Sequence, residues 1–241
     1  ASELADSVET LSPEPRKVLA RVLEQVRSRY ERLYADKGVQ AAFSFLVALA
    51  TPERGAERGS LLDIADYEGE QLSPLKLTAK LLDHVRSYAE SAEYAELSSR
   101  AGADTIAEWM RLRTRQHSLF GDESIANDAW KGISGAEFCE ISRLFFSRLT
   151  DRYLGYFIER NLTASASTLE VRDRFDSAVS SHLDDISRHA FETSKITESF
   201  AAGWFNKRAR DRRPTDEEVY EFLRFSSGKI REELIRERLD Q

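Results

Sequence analysis

The stretch Val39 to Ala50 (VQAAFSFLVALA) is the longest apolar run in the chain, broken only by Gln40 and Ser44. A helix that is apolar on all sides cannot lie on a surface with one face in water; other helices have to surround it. It also falls well short of the ~20 residues a membrane span requires. The run therefore predicts a buried central helix, and the rest of the chain has to supply its cover. With 241 residues, 41% hydrophobic, and 13 Phe, 8 Tyr and 3 Trp, the chain has the material for a sizeable core without staples.

Helix signals recur along almost the whole length, and no segment alternates like a strand. Ser12 and Pro13 read as a cap and first helical position, followed by Val18, Leu19, Val22, Leu23, Val26, Tyr30, Leu33 and Tyr34 at helical spacing, with Gly38 as the expected stop. TPERGAERGS, residues 51–60, reads as a loop before a short helix around Leu61 to Tyr67. Ser73-Pro74 opens a helix through Leu75, Leu82, Val85 and Tyr88, with a break near Ser91 to Leu97. A further helix is expected at about Asp104 to Leu119, and a connection from Gly121 to Gly132. Ser134 to Glu137 (SGAE) and Thr215 to Glu218 (TDEE) carry the capping-box pattern. The first opens a densely aromatic helix to about Arg160; the second opens a C-terminal helix with a kink expected at Ser226-Ser227-Gly228.

Between Leu169 and Arg210 there is no proline and only Gly203, which predicts one helix of roughly 40 residues, about 60 Å long. The expected fold is thus all-α: a bundle of about seven to nine helices, with one long helix near 169–210 and a C-terminal helical hairpin. The loop NLTASAST, residues 161–168, is the best candidate boundary, dividing an N-terminal bundle (1–160) from the long helix and C-terminal helices (161–241), or joining them in one continuous domain.

Composition narrows the function classes. A lone cysteine, Cys139, excludes an internal disulfide framework and a cysteine-rich zinc site, which suits a cytoplasmic location. The opening residues ASELADSVETLS have neither a basic nor an apolar region of the signal-peptide kind. Charged residues make up 32% of the chain with a net charge of −7, so no global basic field steers nucleic acid. Phosphate loops, nucleophile elbows and Ser-His-Asp order are absent from the sequence, and no cofactor is expected.

Three local features remain. His182 and His189 stand one heptad apart, with Asp185 and Glu192 three residues after each. As metal ligands they are poorly spaced, because seven helical residues separate them by roughly 10 Å, whereas two ligands of one ion on a helix stand about one turn apart. Polar positions in a helical seam are the favoured reading.

Arg111 precedes His117 by six residues, with Arg113 and Arg115 in the same stretch. The spacing is similar to the arginine and histidine pair of all-helical ribonucleases of the HEPN class. That resemblance implies an arginine holding phosphate and a histidine serving 2′-hydroxyl attack, without a metal. Leu112 stands where that family commonly has a polar residue, so membership is not inferred, and a solvated basic helix face is favoured.

Finally, GWFNKRARDRRPTDEE places Lys207, Arg208, Arg210, Arg212 and Arg213 against Asp211, a local charge of +4 beside Trp204 and Phe205. The bland account is helix-end capping with TDEE as internal partner; the functional account is a contact for phosphates or an acidic partner.

The stripe Phe175, Val179, Ile186, Ile196, Phe200 and Trp204 on the long helix is the expected interface, since a helix much longer than a domain diameter needs a second partner. The leading expectation is a non-enzymatic adaptor or regulatory subunit of a cytosolic complex, bound to a partner protein or a second copy and to no membrane. A nucleic-acid-binding protein, or a ribonuclease using Arg111 and His117, is the alternative.

Overall fold

The structure, a computed structural model, describes residues 29–30, 32–51, 73–118, 129–162 and 195–236. Regular structure among them is entirely helical. After helical residues at 29–30 and 32–35 come α1 (Lys37–Ala50), α2 (Pro74–Tyr88), α3 (Ala92–Ser118), α4 (Gly135–Leu162), α5 (Lys195–Trp204) running into a π turn (Phe205–Ala209), and α6 (Asp216–Arg236). The expected helix around 61–67, the Ser12-Pro13 start and residues 169–194 of the expected long helix lie outside the described residues.

Helix α1 is the buried centre that its composition demanded. Phe43, Phe45, Leu46 and Ala42 are fully inaccessible to solvent, and α2, α3, α4 and α6 all pack on it. Phe43 meets Phe145 and Phe146 of α4, at centroid distances of 5.4 and 5.6 Å, and stacks on Phe222 of α6 at 5.3 Å. The chain then folds outward: α2 lies on α1 and α3, α3 on α4, and α4 on α5. Where Tyr30 approaches α4, its hydroxyl shares a 2.7 Å hydrogen bond with the buried Thr150 hydroxyl.

The capping reads translate directly into geometry. At α4 the Glu137 amide donates to Ser134 Oγ (3.3 Å) and the Ser134 amide donates to Glu137 Oε2 (2.8 Å). Ser73 Oγ accepts from the Lys76 amide at 3.3 Å, with Pro74 in the first helical position. Glu137 has a second role: Arg113 of α3 pairs with it while lying 5.5 Å from the Trp109 ring centroid, and Trp109 Nε1 donates to the Ala129 carbonyl at 3.0 Å. Together these tie α3 to the turn before α4, where Gly132 adopts φ +65°, a value that favours glycine.

Several local expectations are corrected. Gly38 does not stop a helix. The break is at Asp36, whose extended backbone (φ −66°, ψ 135°) leaves the first helix and whose carboxylate accepts the Gly38 amide at 2.8 Å to start α1. Gly38 itself is buried in the first turn of α1, close to Ala89. Helix α3 starts at Ala92 rather than near Asp104, because Ser91 Oγ accepts the Tyr94 amide (3.3 Å) and caps it there. On α2 the buried stripe is Leu77, Leu81 and Val85, which leaves Leu75 and Tyr88 78% and 58% exposed. Helix α6 is continuous through Ser226-Ser227-Gly228; burial of Ser226, Ser227 and Ile230 against the core holds the turn that the serine-glycine composition would weaken.

Candidate functional site

The end of α5 departs from regular geometry. The Arg210 amide donates to the Phe205 carbonyl at 2.8 Å, five residues back, which makes Phe205–Ala209 a π turn. Such turns are rare and frequently sit at functional sites. Here two consecutive side chains lie against one ring: Trp204 stacks on Phe138 at 5.6 Å and Phe205 at 4.6 Å. Phe205 and Ala209 are buried, and the intervening Asn206 and Lys207 face solvent.

The five cations of this segment have different fates. Arg208 donates to Glu218 Oε1 at 2.8 Å, and Arg212 donates to both carboxylate oxygens at 2.6 and 2.9 Å. Glu218 also closes the α6 capping box, accepting the Thr215 amide at 3.0 Å while its own amide donates to Thr215 Oγ1 at 3.3 Å. Arg213 is half-buried and its charge is felt at His84 of α2, whose ring lies 5.0 Å from Tyr88 and 5.9 Å from Phe45. Burial first, and the Arg213 charge second, hold His84 below its ordinary pKa, with Asp216 opposing them. Lys207 and Arg210 are exposed and form no ion pair among the described residues.

Glu218 is therefore the electrostatic hub. The Arg212 hydrogen bonds, the Thr215 amide and the two guanidinium charges hold its carboxyl down at about 2, against a smaller opposing effect of desolvation. A depressed carboxyl contributes stability that is present above its ordinary value of 4.5 and is lost as the pH falls towards about 2. Both arginine side chains are more than two-fifths exposed, so solvent screening limits the contribution to about 0.5–1 kcal/mol. Glu218→Gln keeps an acceptor for the capping box and removes only the charge. The variant should lose that amount at pH 7 and show a flatter decline in urea midpoint between pH 4.5 and 2 than the parent. Parallel pH profiles for the two proteins would count against the hub.

Beside this hub, α5 and α6 enclose a cleft of about 320 Å³ lined by Phe200, Trp204, Arg208, Glu221, Phe222, Arg224 and Phe225. Phe222 is its buried floor, stacked 5.4 Å from Phe200; Phe200 and Phe225 approach to 4.0 Å, and both remain partly exposed, as does Trp204. Arg224 and Glu221 stand exposed at the rim.

Of the sequence candidates, the structure brings together Phe200, Trp204 and Arg208 at one cleft, with Lys207 and Arg210 on the adjoining turn. Sequence reasoning missed the opposite wall, Glu221, Phe222, Arg224 and Phe225, whose signal was the aromatic pair three residues apart in EFLRF. Arg111 is exposed and engaged by Glu108 through two hydrogen bonds, one of 2.8 Å. His117 lies on α3, its side chain outside the description, as are the side chains of Phe175, Val179, Ile186 and Ile196. His182, Asp185, His189 and Glu192 also lie outside the described residues. Among the described residues no group of three His, Cys, Asp or Glu could hold a metal, and no helix is long and apolar enough to cross a membrane. Comparison with family models, curated proteins and solved structures gives no match.

Proposed function

We propose that the chain is a non-enzymatic helical adaptor or regulatory subunit, acting through protein–protein contacts in a cytosolic complex. The observation that supports this best is the cleft between α5 and α6: three large aromatics, Phe200, Trp204 and Phe225, stay partly exposed side by side, with polar groups only at the rim. Contiguous apolar surface rimmed by polar residues is characteristic of contact sites between proteins. Arg208 and Arg212, the most obvious phosphate contacts, are already engaged by Glu218. The reading predicts a purified protein that is at least dimeric or co-elutes with a partner, with chemical cross-links falling on α5 and α6. Light scattering after size-exclusion chromatography tests it; a clean monomer at micromolar concentration with nothing co-eluting would overturn it.

Lys207 and Arg210, exposed and without an ion pair among the described residues, favour a second reading, contact with nucleic acid. In that case nucleic acid copurifies and binding falls by roughly one power of salt concentration per phosphate neutralised.

A further inference from the structure

The outer face of α6 carries charges arranged to meet their own copy. The core side of this helix is Val219, Phe222, Leu223, Ser226 and Ile230, all buried. On the opposite side Glu217, Glu221, Arg224 and Gly228 follow at spacings of four, three and four, which makes one stripe along the helix. The first three are exposed and Gly228 is partly so; Tyr220 and Phe225, also partly exposed, flank them. Glu221 and Arg224 form no ion pair among the described residues, either with each other or with a neighbouring helix. Both stand beyond the first turn of α6, where the macrodipole no longer accounts for the sign of a side chain.

The surroundings favour no partner of a single sign. The charges lining the cleft are Arg208, already held by Glu218, together with Glu221 and Arg224. On the adjoining turn the exposed Asp211, Asp216 and Glu217 offset Lys207 and Arg210. On a chain of net charge −7, such a balanced face lets two copies approach without the repulsion of the whole. Symmetry then makes the match definite. In a two-fold dimer, if one residue meets a second on the other copy, the second also meets the first. Parallel α6 helices would set Glu221 on Glu221 and Arg224 on Arg224. Antiparallel helices, related by an axis passing between Phe222 and Leu223, set Glu221 on the partner's Arg224 and Arg224 on the partner's Glu221. The same register sets Phe225 on the partner's Tyr220 and Glu217 on the partner's Gly228. Gly228 leaves room for that approach, since no described residue comes within 4 Å of a Cβ there.

Resting on the adaptor reading and deepening it, we infer that the partner is a second copy of this chain and that the two α6 helices meet antiparallel along this stripe. The aromatic edges of Phe225 and Tyr220 supply apolar burial, and two reciprocal pairs between Glu221 and Arg224 set the direction and register. The α6 wall of the cleft is then part of the interface.

The test is a charge exchange on the whole chain, read by light scattering after size-exclusion chromatography over a range of concentrations. The proteins are the parent, Glu221→Arg, Arg224→Glu, an equimolar mixture of these two, and the double variant Glu221→Arg/Arg224→Glu. Both residues are exposed, so the fold is expected to survive, and far-ultraviolet circular dichroism of each variant checks it. The parent should elute at twice the 27.5 kDa chain mass. Each single reversal sets like charges against each other and should raise the dissociation constant of the dimer roughly tenfold or more. The mixture should form a dimer again, because each like-charged face then meets its opposite, and the double variant should pair with itself. A dimer that ignores both reversals, or a weakened one that neither mixing nor the double exchange restores, would overturn this interface while leaving the adaptor reading standing. A monomer that co-elutes with a different protein would overturn the second copy and leave the adaptor. A monomer with nothing co-eluting would remove both.

Discussion

Phe43→Ala is expected to lower the unfolding free energy by about 3–5 kcal/mol, the largest single effect foreseen for this chain. Phe43 is completely buried and touches aromatic rings of two other helices: Phe138, Phe145 and Phe146 on α4, at 6.2, 5.4 and 5.6 Å, and Phe222 on α6 at 5.3 Å. Truncation removes the transfer energy of the ring, leaves a cavity that four other rings can only partly fill, and cancels ring contacts worth ~0.5–1.5 kcal/mol each beyond area. Because α1 is enclosed by four helices, little backbone collapse is available to soften the loss. Urea denaturation should show a lower midpoint with an unchanged slope. Leu75→Ala, on a side chain 78% exposed, serves as the contrast and should stay within about 0.5 kcal/mol of the parent. A loss below about 1 kcal/mol for Phe43→Ala would mean that α1 is not the centre of the fold.

The same residues show why parts of the structure were legible and others not. Helix α1 could be read because an all-apolar circumference has one solution, burial. Both capping boxes could be read because the interaction is confined to four consecutive residues, Ser134 to Glu137 and Thr215 to Glu218. Partnering of the basic segment by TDEE was also foreseeable, since Glu218 is only six residues from Arg212.

Failures came where a residue type has two physical uses. Glycine ends helices, yet Gly38 serves close packing against Ala89, and the break belongs to Asp36. Ser-Ser-Gly loosens helices, yet on α6 the two serines are buried and the helix continues. The cleft was half legible: Phe200, Trp204 and Arg208 stood out along one helix, whereas the wall from α6 exists only once tertiary packing brings the helices together.

Gly135→Val is expected to cost about 1–3 kcal/mol and to disturb the cleft from a distance, a consequence no local pattern announces. Gly135 is the first residue of α4 and is buried. A Cβ there would lie 3.0 Å from both the Cα and the Cβ of Ala202 on α5, and 2.9 Å from Asn206 Nδ2. The obstruction is backbone, so it cannot be relieved by a side-chain rotation; α5 has to shift as a unit. Trp204 and Phe205 lie just beyond Ala202 and stack on Phe138, three residues after Gly135, so the same displacement loosens the aromatic wall. Near-ultraviolet circular dichroism should therefore change along with stability. Size discriminates packing from capping: because Gly135 also lies inside the Ser134–Glu137 box, a capping defect would be much the same for Ala and Val, whereas a steric one grows from Gly135→Ala to Gly135→Val. Gly155→Val on the same helix is the matched control, since no described residue comes within 4 Å of a Cβ at that position and glycine is a poor helix former. It should be neutral or slightly stabilising. If Gly135→Val proves as stable as Gly155→Val, the close contact between α4 and α5, and with it the rigid wall of the cleft, has to be abandoned.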